Sequence, residues 1–159
     1  MDLKAFENVK DQIGFCGIWC GSCVIGNGVL RELSRMLRDV VEGYGLEGWV
    51  SKDFDFDEFS KGLASIQATP FCPGCRKRGG AAGCEMRACA SERGFNDCLD
   101  CGMPENCGHQ NKMHRMRTGA LAAGLMVKNE VADPRRLIEK WTAELKLKKP
   151  SNMLFLRGQ

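Results

Sequence analysis

The chain has 159 residues, 23 basic and 20 acidic side chains, a formal charge of +3 and a hydrophobic fraction of 43% that includes ten cysteines. That length suits one ordinary domain, 1–159, able to bury roughly two thirds of its unfolded surface. No apolar run approaches the ~20 residues a membrane span needs, and residues 1–12 mix both charge signs and lack the apolar stretch of a signal peptide, so a soluble cytoplasmic protein with no membrane partner is expected, its cysteines serving metal rather than disulfides.

The first feature in chain order is Cys16-x3-Cys20-x2-Cys23. Leu30, Leu33, Leu37 and Val40 then recur at three and four residues, with charge between them and Gly43 beyond, which predicts an amphipathic helix over 28–42. A second helix is expected over 56–67, where Phe54, Phe56, Phe59, Leu63 and Ile66 mix with an acidic N-terminal run that suits a helix start. Val, Ile and Thr total only 16 residues, and no stretch alternates over strand length, so sheet should be minor. From 69 to 108 the composition turns to Cys, Gly, Pro and charge, which cannot form an apolar core but can wrap metal. Within that segment 85–93 lacks Gly and Pro and predicts two helical turns, with Cys84 at their start and Cys89 on them. Met113, Met116, Ala120, Ala123 and Val127 predict a helix over 110–128, loosened by Gly119 and Gly124. Asp133 and Pro134 form a cap and first-turn pair for a last helix through Leu137, Ile138, Trp141 and Leu145, and the apolar tail at 153–159 is expected to dock. The expected fold is thus mainly α, a small helical domain with an irregular cysteine-rich metal-binding segment and basic C-terminal helices at 109–159.

Seven cysteines lie in the order Cys72-x2-Cys75-x8-Cys84-x4-Cys89-x8-Cys98-x2-Cys101-x5-Cys107. Two residues between cysteines let one tight turn aim both thiolates at a single ion, so this is metal-ligand spacing. Cys72, Cys75, Cys84 and Cys89 form a complete four-cysteine set closed by short loops. Cys98, Cys101 and Cys107 supply three ligands of another. Its fourth ligand is either His109 or one of Cys16, Cys20 and Cys23 folded across, and the cysteine is preferred. About two structural zinc ions follow.

Iron–sulfur ligation is the main competing chemistry, since thiolates hold such clusters too. The N-terminal trio has the spacing of a radical S-adenosylmethionine motif, but Ser22 stands where an aromatic residue is usual. Trp19-Cys20-Gly21-Ser22-Cys23 also resembles a thioredoxin-type motif, yet the strand that should precede it is broken by Gly14, Cys16 and Gly17. A nucleic-acid reading rests on Arg76, Lys77, Arg78, Lys112, Arg115 and Arg117, but stacking aromatics are scarce beside them. Residues 1–107 carry net −4 and residues 108–159 net +7, and two tetrathiolate zinc sites would take the whole chain from +3 to −1. Nucleic acid is therefore not the expected partner, and a protein partner is left open. No Ser/His/Asp set, phosphate loop or glutamate-bearing histidine motif is present, so a binding or interaction module is expected ahead of an enzyme.

The segments Gly14-Phe15-Cys16-Gly17-Ile18-Trp19-Cys20-Gly21-Ser22-Cys23, Cys72-Pro73-Gly74-Cys75-Arg76, Cys84-Glu85-Met86-Arg87-Ala88-Cys89-Ala90 and Cys98-Leu99-Asp100-Cys101 with Cys107 together resemble the DUF3795 cysteine-rich proteins, over about 14–108. Phe15 and Trp19 replace commoner residues, and Asn106 stands where a proline often precedes the last cysteine. The resemblance implies a small prokaryotic protein of zinc-binding type whose biochemical function is unknown. It carries over no catalytic residue.

Overall fold

The computed structural model describes residues 6–102 and 105–148. Among them are five α-helices, α1 (Val29–Gly43), α2 (Phe56–Gln67), α3 (Glu85–Glu92), α4 (Gln110–Ala122) and α5 (Pro134–Lys148), and short 3-10 turns at Cys20–Ser22, Leu46–Gly48 and Cys75–Lys77. The chain is mainly helical, as composition predicts. Pairing of strand type among the described residues is limited to two isolated antiparallel bridges, Ile13 with Trp19 and Ile18 with Val127.

Those bridges organise the core. The loop at 13–19 crosses the segment at 126–128, where Trp19 N–H donates to Met126 O at 2.9 Å and Lys128 N–H to Gly17 O at 2.8 Å. This brings Ile13, Trp19 and Met126 against Trp141 and Leu145 of α5, with Leu137 and Ile138 packed around them. The Trp19 and Trp141 rings stack with centroids 5.8 Å apart. Trp19 is almost fully buried, so its indole N–H needs a partner, which it finds in Lys10 O at 2.6 Å. At the start of α5, Asp133 Oδ1 accepts from Arg135 N at 2.9 Å, the capping bond expected of that residue before a first-turn proline.

Helices α1 and α2 form a hairpin to one side. Asp55 caps α2 by accepting from Glu58 N at 2.9 Å, and Ser34 Oγ of α1 donates to Leu63 O of α2 at 2.8 Å. The buried residues of α1 are Val29, Ser34 and Val41, whereas Leu37 and Val40 are 46% and 49% exposed. The apolar stripe read from sequence is therefore only partly covered. The hydroxyl at Ser34 sits at the helix crossing because it reaches a backbone carbonyl there.

Helix α4 stops six residues before the expected end of 128. Gly124 takes a φ of +78°, its N–H bonds to Leu121 O at 2.9 Å, and Leu125 N–H returns to Ala120 O at 2.9 Å. That is the hydrogen-bond pattern of a Schellman stop, which favours glycine at this position. Met126 and Val127 are then buried as core and bridge residues instead of prolonging a helical stripe. The tail at 153–159 lies outside the described residues.

Candidate metal centre

All ten cysteines are free thiols. Most of them fall into two neighbourhoods that meet at Cys16. The first is built on the knuckle at 72–79. Lys77 N–H donates to Gly74 O at 3.0 Å and Gly79 N–H to the same oxygen at 2.9 Å, which curls the chain back under Cys72. A methyl placed on Gly79 would stand 2.7 Å from Cys72 Sγ, and one on Gly14 would stand 3.3 Å from Cys75 Sγ, so both sulfurs lie against bare backbone. Arg87 of α3 clamps this loop, donating from Nη1 to Gly79 O at 2.8 Å and from Nη2 to Ala81 O at 2.9 Å.

The N-terminal loop lies over that knuckle. Asn8 Nδ2 donates to Cys72 O at 2.9 Å, and Gln12 Nε2 to Pro73 O at 3.2 Å. Burial pushes the Cys20 thiol up to about 11, opposed by the Cys75 backbone N–H that faces its sulfur and reinforced by the neighbouring Cys75, Cys72 and Cys16 thiols. Cys16 is raised by burial as well; the Ile18 N–H facing its sulfur acts in the other direction, and Cys75 and Cys84 add to the rise. An amide N–H aimed at sulfur favours the thiolate, which is the form a metal binds.

The second neighbourhood is a cavity of about 110 Å³ bounded by α3, the loop after it and the start of α4, whose wall includes Cys89, Cys98, Cys101 and Cys107. Met86, Phe95, Leu99 and Met113 supply most of the remaining lining. Cys98 N–H donates to Phe15 O at 2.8 Å, tying this loop to the N-terminal segment beside Cys16. Burial pushes the Cys98 thiol up to about 12, with Cys16, Cys107, Asp97 and Cys89 adding to the rise.

His109, at the N-cap of α4, also borders the cavity. Its Nδ1 lies 3.4 Å from Glu85 Oε2, while Lys112 Nζ lies 3.0 Å from Glu85 Oε1. The hydrogen bond from Lys112, followed by the influence of His109, holds the Glu85 carboxyl below its ordinary value.

Cys89 thus joins Cys98, Cys101 and Cys107, a grouping that short-loop closure among Cys72, Cys75, Cys84 and Cys89 does not anticipate. Cys84 caps α3 and Cys89 is inside it; five residues along a helix turn a side chain by about 140°. Short spacing in sequence therefore separates these two sulfurs in direction. Within the N-terminal trio, Cys20 lies with the knuckle and Cys16 lies between the two neighbourhoods, beside Cys98 as well as Cys75, whereas the spacing led to the expectation that one of the trio serves Cys98, Cys101 and Cys107 alone.

The donor chemistry suits a soft, thiolate-seeking metal. The sulfurs are neighbours without being gathered on one point: among the described residues no three His, Cys, Asp or Glu side chains are arranged to hold an ion. Uptake of a single ion would draw the loops inward.

Several basic side chains near these sites have internal partners. Arg76 donates to Ile13 O at 3.1 Å and to Asn96 O, with its guanidinium 4.1 Å above the Phe15 ring. Arg117 donates to Asn129 Oδ1 at 2.7 Å. No helix among the described residues is long and apolar enough to cross a membrane.

A family model described as "Protein of unknown function (DUF3795)" matches residues 12–112. The chain belongs to the DUF3795 family. The match covers all ten cysteines, and it ends inside α4. No curated protein and no solved structure matches the chain. The family's description assigns no activity.

Proposed function

We propose that this DUF3795 protein is a zinc-binding protein in which a four-cysteine site is structural, serving as a binding or interaction module rather than a catalyst. The ligands at the knuckle are Cys16, Cys20, Cys72 and Cys75. The observation that carries this reading is the Cys20 sulfur, which faces the Cys75 amide with the thiols of Cys75, Cys72 and Cys16 around it. Four thiolates on one zinc ion leave no open position for a water, so the ion crosslinks the N-terminal loop to the knuckle instead of activating a substrate. Such a crosslink has a purpose here, because residues 69–83 include no buried residue other than Gly74, which has no side chain, and have little apolar surface to order themselves by burial. Cys23 and Cys84 stay outside the set.

The internal partners of Arg76, Arg117 and Lys112 favour this reading over a nucleic-acid module. Elemental analysis before and after chelation, followed by near-ultraviolet dichroism, tests it. Zinc should be present as purified, and its removal should collapse the aromatic signal around Trp19. A zinc-free protein with the same dichroism as the zinc-treated one would refute a structural metal.

A further inference from the structure

The cysteine-lined cavity holds more space than a single tetrahedral ion needs. A zinc ion holds its thiolates at about 2.3 Å, which places the four sulfurs about 3.8 Å from one another and leaves no volume between them. Cys89, Cys98, Cys101 and Cys107 instead border about 110 Å³, where one water occupies about 10–15 Å³ measured in the same way. The wall between the cysteines is apolar, with Met86 and Met113 on two helices and Phe95 and Leu99 on the loop. Water would find few hydrogen-bond partners in such a space, whereas an inorganic core bonded to the thiolates would occupy it without needing them. Cys89 lies on α3, and Cys98 is anchored by the bond from its N–H to Phe15 O.

We propose that this cavity is an iron–sulfur cluster site, with Cys89, Cys98, Cys101 and Cys107 as its four ligands. Four cysteine thiolates are the donor set that both two-iron and four-iron clusters take, and a cluster core requires the enclosed volume that a lone ion does not. Sulfide comes from solution with iron already in the cluster's oxidation states, ferric for a two-iron core and equal parts ferric and ferrous for a four-iron core, and the four thiols release their protons as the iron–sulfur bonds form, so that no net electron transfer is needed. His109 borders the site with its Nδ1 facing Glu85 and is not one of the ligands. The inference rests on the thiolate–metal reading for the chemistry of the donors, but it concerns a different cysteine set and a different metal.

The test is anaerobic purification of the full chain, reconstitution with sulfide and either ferric iron or an equal mixture of ferric and ferrous iron, and measurement of visible absorption, iron, acid-labile sulfide and zinc in the same samples. The wild-type chain should turn brown, with iron and sulfide in equal amounts whose total distinguishes a two-iron from a four-iron core. Cys89→Ser and Cys101→Ser should lose most of the visible absorption while keeping zinc, which also reports that each variant is folded. Cys72→Ser should lose zinc and keep the colour, and His109→Gln should keep both. A colour that survives both Cys89→Ser and Cys101→Ser, a colour lost with Cys72→Ser in a chain of unchanged helical dichroism, or uptake of zinc alone by the cavity cysteines would overturn the proposal. Zinc missing from a brown wild-type chain would sink the knuckle reading and leave this one standing.

Discussion

Lys128 reaches Asp97 across the protein, Nζ to Oδ2 at 2.6 Å, with both side chains at most 5% exposed. Asp97 directly precedes Cys98 and also accepts from Leu99 N at 2.9 Å, while Lys128 N–H holds Gly17 O. One buried ion pair thus joins the loop carrying Cys98 and Cys101 to the segment that bridges the N-terminal loop. Removing one partner leaves an uncompensated buried charge. Lys128→Met should destabilise the fold by about 3–5 kcal/mol, and adding Asp97→Leu should recover a large part of that loss. Urea unfolding of the two variants checks this; a double variant no more stable than the single one would count against the pair as the cause.

Stacking of Trp19 on Trp141 fixes α5 against the loop that bears Cys16 and Cys20. Trp141→Ala should cost about 3–5 kcal/mol through loss of buried area and the cavity it leaves. Because α5 lies outside the cysteine-rich segment, the same change should lower zinc affinity less than it lowers the unfolding midpoint. Equal losses in both would mean that α5 positions the ligands directly.

A methyl at position 79 would meet Cys72 Sγ at 2.7 Å and the backbone of Gly74 at 2.8 Å, which forces the knuckle to open. Gly79→Ala should weaken zinc binding on the order of 10-fold, the scale of a lost supporting contact around a metal ligand. Gly43, at the end of α1, has nothing within 4 Å of an added Cβ, so Gly43→Ala should leave affinity unchanged. Competition with a chromophoric chelator measures both.

Burial raises the Cys20 and Cys98 thiols to about 11 and about 12, from an ordinary 9.0. In the metal-free chain the unfolded state therefore loses these protons first. The contribution of the two thiols to stability is present below about pH 9 and is lost as pH rises through 11 and 12. A metal bound by these thiols would replace those protons, so metal affinity should rise with pH over the lower range. Thermal unfolding of chelated protein from pH 8 to 11 should show a falling midpoint, and the metal-loaded protein a flatter one. A midpoint that rises with pH after chelation would contradict this assignment.

The helices were largely legible because each carries local signals: Asp55 with Glu58, Asp133 with Pro134, and the run from Glu85 to Glu92 without glycine or proline. The end of α4 was less so, since Met126 and Val127 continue a helical spacing and only Gly124 marks the stop. The cysteine spacing raised the expectation of thiolate–metal chemistry but carried nothing on how the sulfurs divide. Loop length treats Cys84 and Cys89 as interchangeable neighbours, whereas the helix between them turns Cys89 toward Cys98. The helix prediction over 85–93 already held that information, in the angle it implies. Nothing local in sequence signals that Cys16 stands between both groups, because that depends on the long-range bond between Phe15 and Cys98.

X-ray absorption at the zinc edge of the purified full chain tests the knuckle site most directly. Four sulfur neighbours at about 2.3 Å, lost in Cys20→Ser and Cys72→Ser but unchanged in Cys23→Ser, are the predicted result. A first shell of nitrogen and oxygen, or a four-sulfur shell that persists in both Cys20→Ser and Cys72→Ser, would contradict a structural zinc held between the N-terminal loop and the knuckle.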